Sequence, residues 1–594
     1  VVLSRERANA GPNGVVVLSR ERGTSGWRRR DGAAATEVKP CPANAGPNGV
    51  VKHRYTIACM IRDQLTEALA GALDALGVES DAGSIELERP ARREHGDWSS
   101  NVAMANWKPA GRENPRAFAG EITDHLNANL PAHVESVEIA GPGFVNFRLF
   151  DTWLHDELVH AIESGIENYG RHDFGAGTHV NVEFVSSNPN KPPHAGHARG
   201  AVYGDSIARL LRAVGYQVTP EFYLNDRGVQ MSLFAESLAA LKRGDDVPDD
   251  GYQGEYLVEW AQEMPDDADP LEWGYARALR SIEETLQRIG VHHDIWSSER
   301  ALVADGRVPE ALEELRSSGM VYEADGATWL KTTEAGDDKD RVLIKADGDF
   351  TYLTPDIAYH RDKFTRADHL INVWGADHHG YIARMKAAMQ FLGNDPDELE
   401  VIVTQLVSLE RDGIEVQMSG RLGDMVSLEE VIDEIGADAA RFTYLTQSMD
   451  TKQKMDLTAL AQKSMDNPVY YVQYATARIH QLAKNAAAAG HERAPLGDVD
   501  LGVLTNEREL EILRVLSTFG EIVAIAARER APHKITTWLR ELSAAFHGFY
   551  ADCYVVGDDV GPELTQARLW LIEAARVGLV SGLELVGVSA PTEM

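Results

Sequence analysis

The chain has 594 residues, 44% of them hydrophobic, which is too much globular sequence for one ordinary core and predicts about three domains. Its 92 acidic against 58 basic residues, a formal net charge of -34, argue against general non-specific nucleic-acid binding but leave room for a local basic patch. No uninterrupted apolar segment approaches a membrane span and the start VVLSRERANAGP lacks a signal-peptide core. Cys41, Cys59 and Cys553 lie too far apart for a zinc or C-x-x-C pattern, so the expectation is a reduced, cytoplasmic protein with no membrane contact.

Taken in chain order, residues 1–52 carry two interleaved repeats, VVLSRER and ANAGPNGV, rich in Gly, Pro and Asn, and read as a disordered or artefactual extension. The basic run WRRR at 27–30 within them is a weak RNA-contact candidate. Residues 53–165 predict an α+β module: IRDQLTEALAGALDALG has helical periodicity ending at Gly77, SIELERP is strand-like, and VESVEIAGPGFVNFRLF reads as two strands around a Gly-Pro-Gly turn. Residues 166–466 alternate strand-like runs (HVNVEFV, LINVW, EVIVTQLVSL) with helical ones, the pattern of an α/β domain on a largely parallel sheet. From 467 to 594 the pattern is almost wholly helical.

Ligands of open parallel sheets lie beyond the carboxyl ends of strands, beside helix amino termini. PHAGHARG, 193–200, sits at such a strand-to-helix handover, after HVNVEFVSSNPNKP and before a helix with Ile207, Leu210, Leu211 and Val214 on one side. His194 and His197 can donate to phosphate oxygens there, and Gly196 leaves room for a flat ring. YLTPD places Tyr352 and Asp356 four apart, on one face if a helix starts after Thr354 with Pro355 in its first turn. WGADHHGY, 374–381, is a further strand end; adjacent His378 and His379 point apart and lack the other ligands a metal needs.

EFVSSNPNKPPHAGHARG resembles the signature segment of class I aminoacyl-tRNA synthetases, and among them the arginyl-tRNA synthetases. GDFTYLTPDIAYHRDKF, LINVWGADHHGYIARMKAAM, VQMSGRLGDMVSLEEVIDEIGADAARF, MDNPVYYVQYATARIHQLAK and the terminal GLELVGVSAPTEM are similar to successive blocks of the same bacterial-type enzyme, in order over about 53–594. The resemblance implies a class I Rossmann-like catalytic domain flanked by an amino-terminal α+β domain that touches the tRNA elbow and a carboxy-terminal all-α anticodon-binding domain. It implies ATP-dependent activation of L-arginine to arginyl-adenylate and transfer to the terminal ribose of tRNA(Arg), with Mg2+ accompanying ATP, no structural zinc, and a monomer.

Residue by residue, it implies His194 and His197 as phosphate-side donors and Gly196 as a floor for adenine. Asn188 would meet the substrate amino or carboxylate group, Glu183 the guanidinium beside Asp356 and Tyr352, and Gly375 and Asp377 the ribose. The family's second motif, Lys-Met-Ser-Lys-Ser, is matched here by Gln417, Met418, Ser419, Gly420 and Arg421: Met418 and Ser419 remain as ATP contacts, but both lysine positions are empty. Lys191, three residues before His194, is the expected replacement cation, with Arg421 the second candidate. Tyr470, Tyr474 and Arg478 are the tRNA-binding candidates, with Tyr471, Phe546, Phe549 and Tyr550 as neighbouring stacking surfaces or bundle core. Two rivals stay open: a small-molecule nucleotidylyltransferase using the HxGH site, and a catalytically inactive synthetase-like tRNA-binding protein, suggested by the empty lysine positions.

Overall fold

Helix Ile61–Ala75 opens the computed structural model, which describes residues 61–90, 92–416 and 426–594. The expectations for residues 1–52 lie outside the described residues. Leu65, Leu69 and Leu73 recur on one face of this first helix and are fully buried, the expected helical stripe. Helix Pro115–Ala128 packs beside it, started by Asn114, whose side chain accepts from Ala117 N–H, with Pro115 in the first turn. Helix Pro115–Ala128 covers a three-stranded antiparallel sheet of β1 (Trp98–Ser100), β2 (Val134–Ala140) and β3 (Phe144–Leu149), in the order β1-β3-β2. SIELERP, read as a strand, contributes only one bridge, Glu88 to Ser99: Ile85 and Leu87 are buried, but a three-residue turn precedes them and Pro90 ends the run.

The central unit is built on a five-stranded sheet, all parallel, from β4 (His179–Glu183), β5 (Gln217–Leu224), β6 (Ile295–Ser298), β10 (His369–Gly375) and β11 (Leu399–Thr404), in the order β11-β10-β4-β5-β6. The order reverses between β4 and β10, so the ligand crevice of a doubly wound sheet falls at their carboxyl ends. Helix Ala195–Ala213 follows β4 and is buried on nearly every side, not only on the Ile207–Leu210–Leu211 face, because it lies between the sheet and later helices. Gly204 permits the close approach: a Cβ there would come within 2.2 Å of the Phe184 ring.

Between β6 and β10, the antiparallel strands β7 (Val321–Ala324), β8 (Ala327–Leu330) and β9 (Arg341–Ile344) form a small separate sheet. EVIVTQLVSL, expected as one strand, divides at Gln405–Leu406 into β11 and β12 (Val407–Arg411), and β12 joins β13 (Ile414–Val416) and β14 (Gln453–Asp456) in a third sheet. The break is fixed by Arg199, fully buried, whose guanidinium donates to the carbonyls of Gln405, Ser448 and Thr451.

The expected boundary at 165/166 falls inside helix Thr152–Asn168, at Gly165, whose φ of 62° kinks it. The boundary at 466/467 falls at Asn467, which caps helix Pro468–Ala488 through its side chain. From there the described chain is helical: Glu507–Leu516, Phe519–Arg528, His533–Asp552 and Pro562–Leu585 pack around Trp538, Leu539, Leu542, Phe546 and Phe549. The architecture is thus the expected amino-terminal α+β domain, Rossmann-like catalytic domain and carboxy-terminal all-α domain. No helix among the described residues is long and apolar enough to cross a membrane.

Candidate active site

The signature loop leaves the sheet through a strained residue. Val185 has φ of 70°, a left-handed conformation that a β-branched side chain rarely adopts, and it turns the chain across the strand ends. The next residues are pinned to β5: Ser187 N–H donates to Tyr223 O, Asn225 N–H to Ser187 O, and Asn188 Nδ2 to Asn225 O at 3.0 Å.

His194 then caps helix Ala195–Ala213. Its Nδ1 accepts from Gly196 N–H at 3.1 Å, so the ring proton sits on Nε2, facing away from the helix end. A Cβ at Gly196 would lie 2.8 Å from that ring, so this glycine is required by the histidine cap itself. His197 stacks on His194 with ring centroids 3.7 Å apart. Burial, reinforced by the charge of Lys191, holds His194 down to about 4, and burial with His194 and Lys191 holds His197 down to about 3. Both rings are neutral near pH 7, each keeping one N–H for an anion. Burial also lowers the pKa of Lys191.

The chain returning from the second-motif segment meets this loop directly: Ala195 N–H donates to Val426 O at 3.0 Å and Leu428 N–H to Pro193 O at 2.9 Å. Ser427, with Glu430, forms a capping box that starts the next helix. Gln417, Met418, Ser419, Gly420 and Arg421 lie outside the described residues. Gly375 ends β10 at the crevice; the side chain of Asp377, in the turn Ala376–Tyr381, lies outside the described residues as well.

On the other side of the crevice, the expected acid pair is rearranged. Glu183 is buried and not free for a guanidinium: its Oε2 accepts from Lys363 Nζ at 2.6 Å and its Oε1 from Ser186 Oγ at 2.8 Å. Lys363 is fully buried and also donates to Asn372 Oδ1 at 2.7 Å. The strand-end position suggested an available carboxylate, but a lysine in the last turn of helix Leu353–Phe364 neutralises it. Tyr352 is turned to solvent in this structure. The helix begins one residue after it, its side chain is 76% exposed, and Asp356 on the next turn points inward. Tyr381, from the run quoted at 374–381, takes its place, donating to Asp356 Oδ2 at 2.8 Å.

Asp356 is the acid left to a cationic ligand. Burial pushes its carboxyl up to about 7, against the Tyr381 hydrogen bond, and the nearby charges of Glu299 and Glu183 add to the rise. Glu299 itself is buried at the end of β6, just after the capping Ser298, and burial raises its pKa. Tyr223, stacked on Tyr359 at 4.2 Å, is buried beside these acids, and among the described residues its hydroxyl has no hydrogen-bond partner. Sequence reading missed Glu299, Tyr223, Tyr381 and Lys363. The strand-end rule applied to β5 and β6 would have drawn attention to the first two. Among the described residues no group of three His, Cys, Asp or Glu side chains could hold a metal ion.

In the helical domain, the Tyr470 and Tyr474 rings stack at 5.6 Å, and Arg478 lies over Tyr474 at 4.2 Å and over Tyr550 at 4.3 Å. These four side chains make one half-exposed aromatic and cationic ladder. Phe546 and Phe549 are bundle core, and Tyr471 packs edge-on against His547.

A parallel sheet with neutral HAGH histidines at its switch point, joined to a helical carboxy-terminal domain, defines a class I aminoacyl-tRNA synthetase architecture. Three family models match: the arginyl tRNA synthetase N terminal domain over 61–149, the class I (R) tRNA synthetase catalytic domain over 165–249 and 266–485, and the DALR anticodon binding domain over 472–594. The chain is 41% identical over 560 residues to the arginine–tRNA ligase of Bacillus subtilis, covering 91% of this chain and 100% of that protein. It is 42% identical over 551 residues to that of Listeria monocytogenes, covering 88% and 97%. A crystal structure from Campylobacter jejuni, 35% identical, superposes with a TM-score of 0.68 over 75% of this chain and 100% of that one. Thermus thermophilus arginyl-tRNA synthetase, 24% identical, shares the fold with a TM-score of 0.70 over 90% of this chain and 100% of that one. The chain belongs to the bacterial-type arginyl-tRNA synthetase family.

Proposed function

We infer that the protein activates L-arginine with ATP and transfers it to the 3′-terminal ribose of tRNA(Arg). The observation that carries this reading is the pairing, across one crevice, of two neutral histidine donors on a helix end with the Asp356 carboxylate and its buried neighbour Glu299. The arginine carboxylate attacks the α-phosphorus of ATP, pyrophosphate leaves, and arginyl-adenylate forms; the ribose hydroxyl then attacks the acyl carbon and AMP leaves. No covalent enzyme intermediate is required, so alignment and charge stabilisation do most of the work.

In this reading Asp356 and Glu299 accept the guanidinium, Tyr223 offers a hydroxyl oxygen to it, and Tyr381 orients Asp356. Asn188 meets the amino or carboxylate end. Gly196 and Gly375 flank the nucleotide, with Asp377, Met418 and Ser419 as further contacts. His194 and His197 donate N–H groups to the phosphate that changes geometry. Lys191 supplies the cation missing from the second motif, ahead of Arg421, and Mg2+ enters with ATP as part of the substrate complex. Tyr470, Tyr474 and Arg478 stack with unpaired tRNA bases. We place the protein in the cytoplasm, acting as a monomer.

Charging assays test the reading. Labelled arginine should become attached to tRNA(Arg) in an ATP-dependent way, while lysine and citrulline should not. Tight tRNA binding without charging would instead favour an inactive tRNA-binding protein.

A further inference from the structure

Residues 250–265 fall between the two stretches that the catalytic-domain family model matches. They are built into the core nonetheless. Helix Glu255–Glu263 buries Leu257 and Trp260 against Met231, Phe234 and Leu238 of helix Val229–Arg243. Just before it, Tyr252 N–H donates to Ser237 Oγ at 2.9 Å, and the Tyr252 ring meets Phe234 edge-on at 5.9 Å.

From this platform two phenol hydroxyls reach one residue of the signature loop. Asn190 Nδ2 donates to the Tyr252 hydroxyl oxygen at 2.8 Å, and the Tyr256 hydroxyl donates to Asn190 O at 3.2 Å. Asn190 is 2% exposed, so its amide and carbonyl need partners from the protein, and Asn190 N–H is already committed to Asn188 O. One bond to the side chain and one to the backbone fix both the position and the rotation of this residue.

Asn190 immediately precedes Lys191. On the far side of Lys191, Pro192 and Pro193 narrow the backbone's choices, and Pro193 O accepts from Leu428 N–H. The lysine is therefore carried on a short span tied down at both ends. We propose that Tyr252 and Tyr256 are positioning residues, which hold Lys191 at the triphosphate of ATP by clamping Asn190; the proposal rests on the reading of Lys191 as the phosphate-side cation.

Tyr252→Phe and Tyr256→Phe each remove one hydroxyl and keep the ring. In the full-length protein with arginine, ATP, Mg2+ and tRNA(Arg), rapid-quench measurement should show adenylate formation about tenfold slower in each, the scale of one lost positioning hydrogen bond. The KM for arginine should stay at the parent value, and the thermal unfolding midpoint should fall by no more than about 2 °C, the scale of one buried hydrogen bond left unmade. In a Lys191→Ala background, Tyr252→Phe should add at most about a twofold further loss, because the group it positions is gone. A tenfold loss in both backgrounds, a wild-type rate in Tyr252→Phe, or slowing that comes only with a fall in unfolding midpoint of about 5 °C or more would each overturn the clamp. An unimpaired adenylate step in Lys191→Ala would instead overturn the assignment of the lysine on which it rests.

Discussion

Lys363 Nζ lies 2.6 Å from Glu183 Oε2, and neither side chain is accessible enough to be rescued by water. The pair joins helix Leu353–Phe364, which carries Asp356, to β4, which leads into the histidine loop; Asn372, the partner of Glu183 on β10, completes the join. The two halves of the crevice are thus held in register by a buried charge pair. Removing one member leaves the other unmatched, a change that typically costs about 3 to 5 kcal/mol. Lys363→Met is expected to lower the urea-unfolding free energy by roughly 3 kcal/mol, and adding Glu183→Gln should recover part of it. An unchanged midpoint in Lys363→Met would show that the pair does not hold these elements together.

Asp356→Asn should lower kcat/KM for arginine by roughly tens to thousands of fold, corresponding to about 2 to 5 kcal/mol for a desolvated guanidinium left partly unmatched. The KM for ATP should hardly move. Glu299→Gln should act in the same direction and Tyr352→Phe should do much less, since the Tyr352 side chain faces solvent. Steady-state kinetics with each substrate varied would decide it: an arginine KM and kcat/KM unaffected by Asp356→Asn would place the acid outside the pocket.

The same carboxyl predicts a pH dependence. With its pKa raised to about 7 in the free protein, Asp356 gains a proton as pH falls through neutrality, and only its ionised form pairs with a guanidinium. Arginine affinity should therefore be full above pH 8 and weaken by about tenfold per pH unit below 7. His194 and His197 contribute nothing to this window, because they stay neutral down to about 4 and about 3. Calorimetric titration of arginine between pH 5.5 and 8.5 would show it, with the dependence lost in Asp356→Asn; a flat profile in the parent protein, or the same dependence in Asp356→Asn, would contradict it.

Gly196→Ala places a Cβ about where the His194 ring lies, at 2.8 Å from it. The ring must rotate off Gly196 N–H, losing both a helix cap worth about 1 kcal/mol and the orientation of Nε2. Adenylate formation should slow by at least about tenfold with only a small loss of stability. Rapid-quench kinetics beside thermal unfolding separate the two effects; wild-type chemistry would mean the cap does not orient the donor.

Arg478→Ala should raise the KM for tRNA(Arg) by about tenfold or more, the scale of one lost stacking and cation–π contact, without changing the KM for ATP. Tyr474→Ala should resemble it because Arg478 lies on that ring. An unaltered KM for tRNA in both would make the ladder a structural feature of the bundle.

Features fixed by neighbours in sequence were legible: the strand-to-helix handover at PHAGHARG, the alternation of strands and helices, and the paired strands around Gly141 to Gly143. Features fixed by topology were not. Glu183 and Asp356 were both visible as acids near strand or helix ends, but only the fold brings Lys363 to one and leaves the other free. Only Tyr352, four residues away, was legible as a partner for Asp356; the backbone at the helix start turns it outward, and Tyr381, distant in sequence, makes the hydrogen bond instead. Glu299 lies 57 positions before Asp356 and carries no motif of its own, so it joins the site only through the pairing of β5 with β6.

The central claim, that this crevice activates arginine, is tested most directly by exchange of labelled pyrophosphate into ATP, run with arginine, lysine or citrulline and with or without tRNA. The account predicts arginine-dependent exchange when a tRNA carrying an arginine anticodon is supplied. Exchange supported equally by lysine or citrulline, or none at all alongside tight tRNA binding, would contradict it.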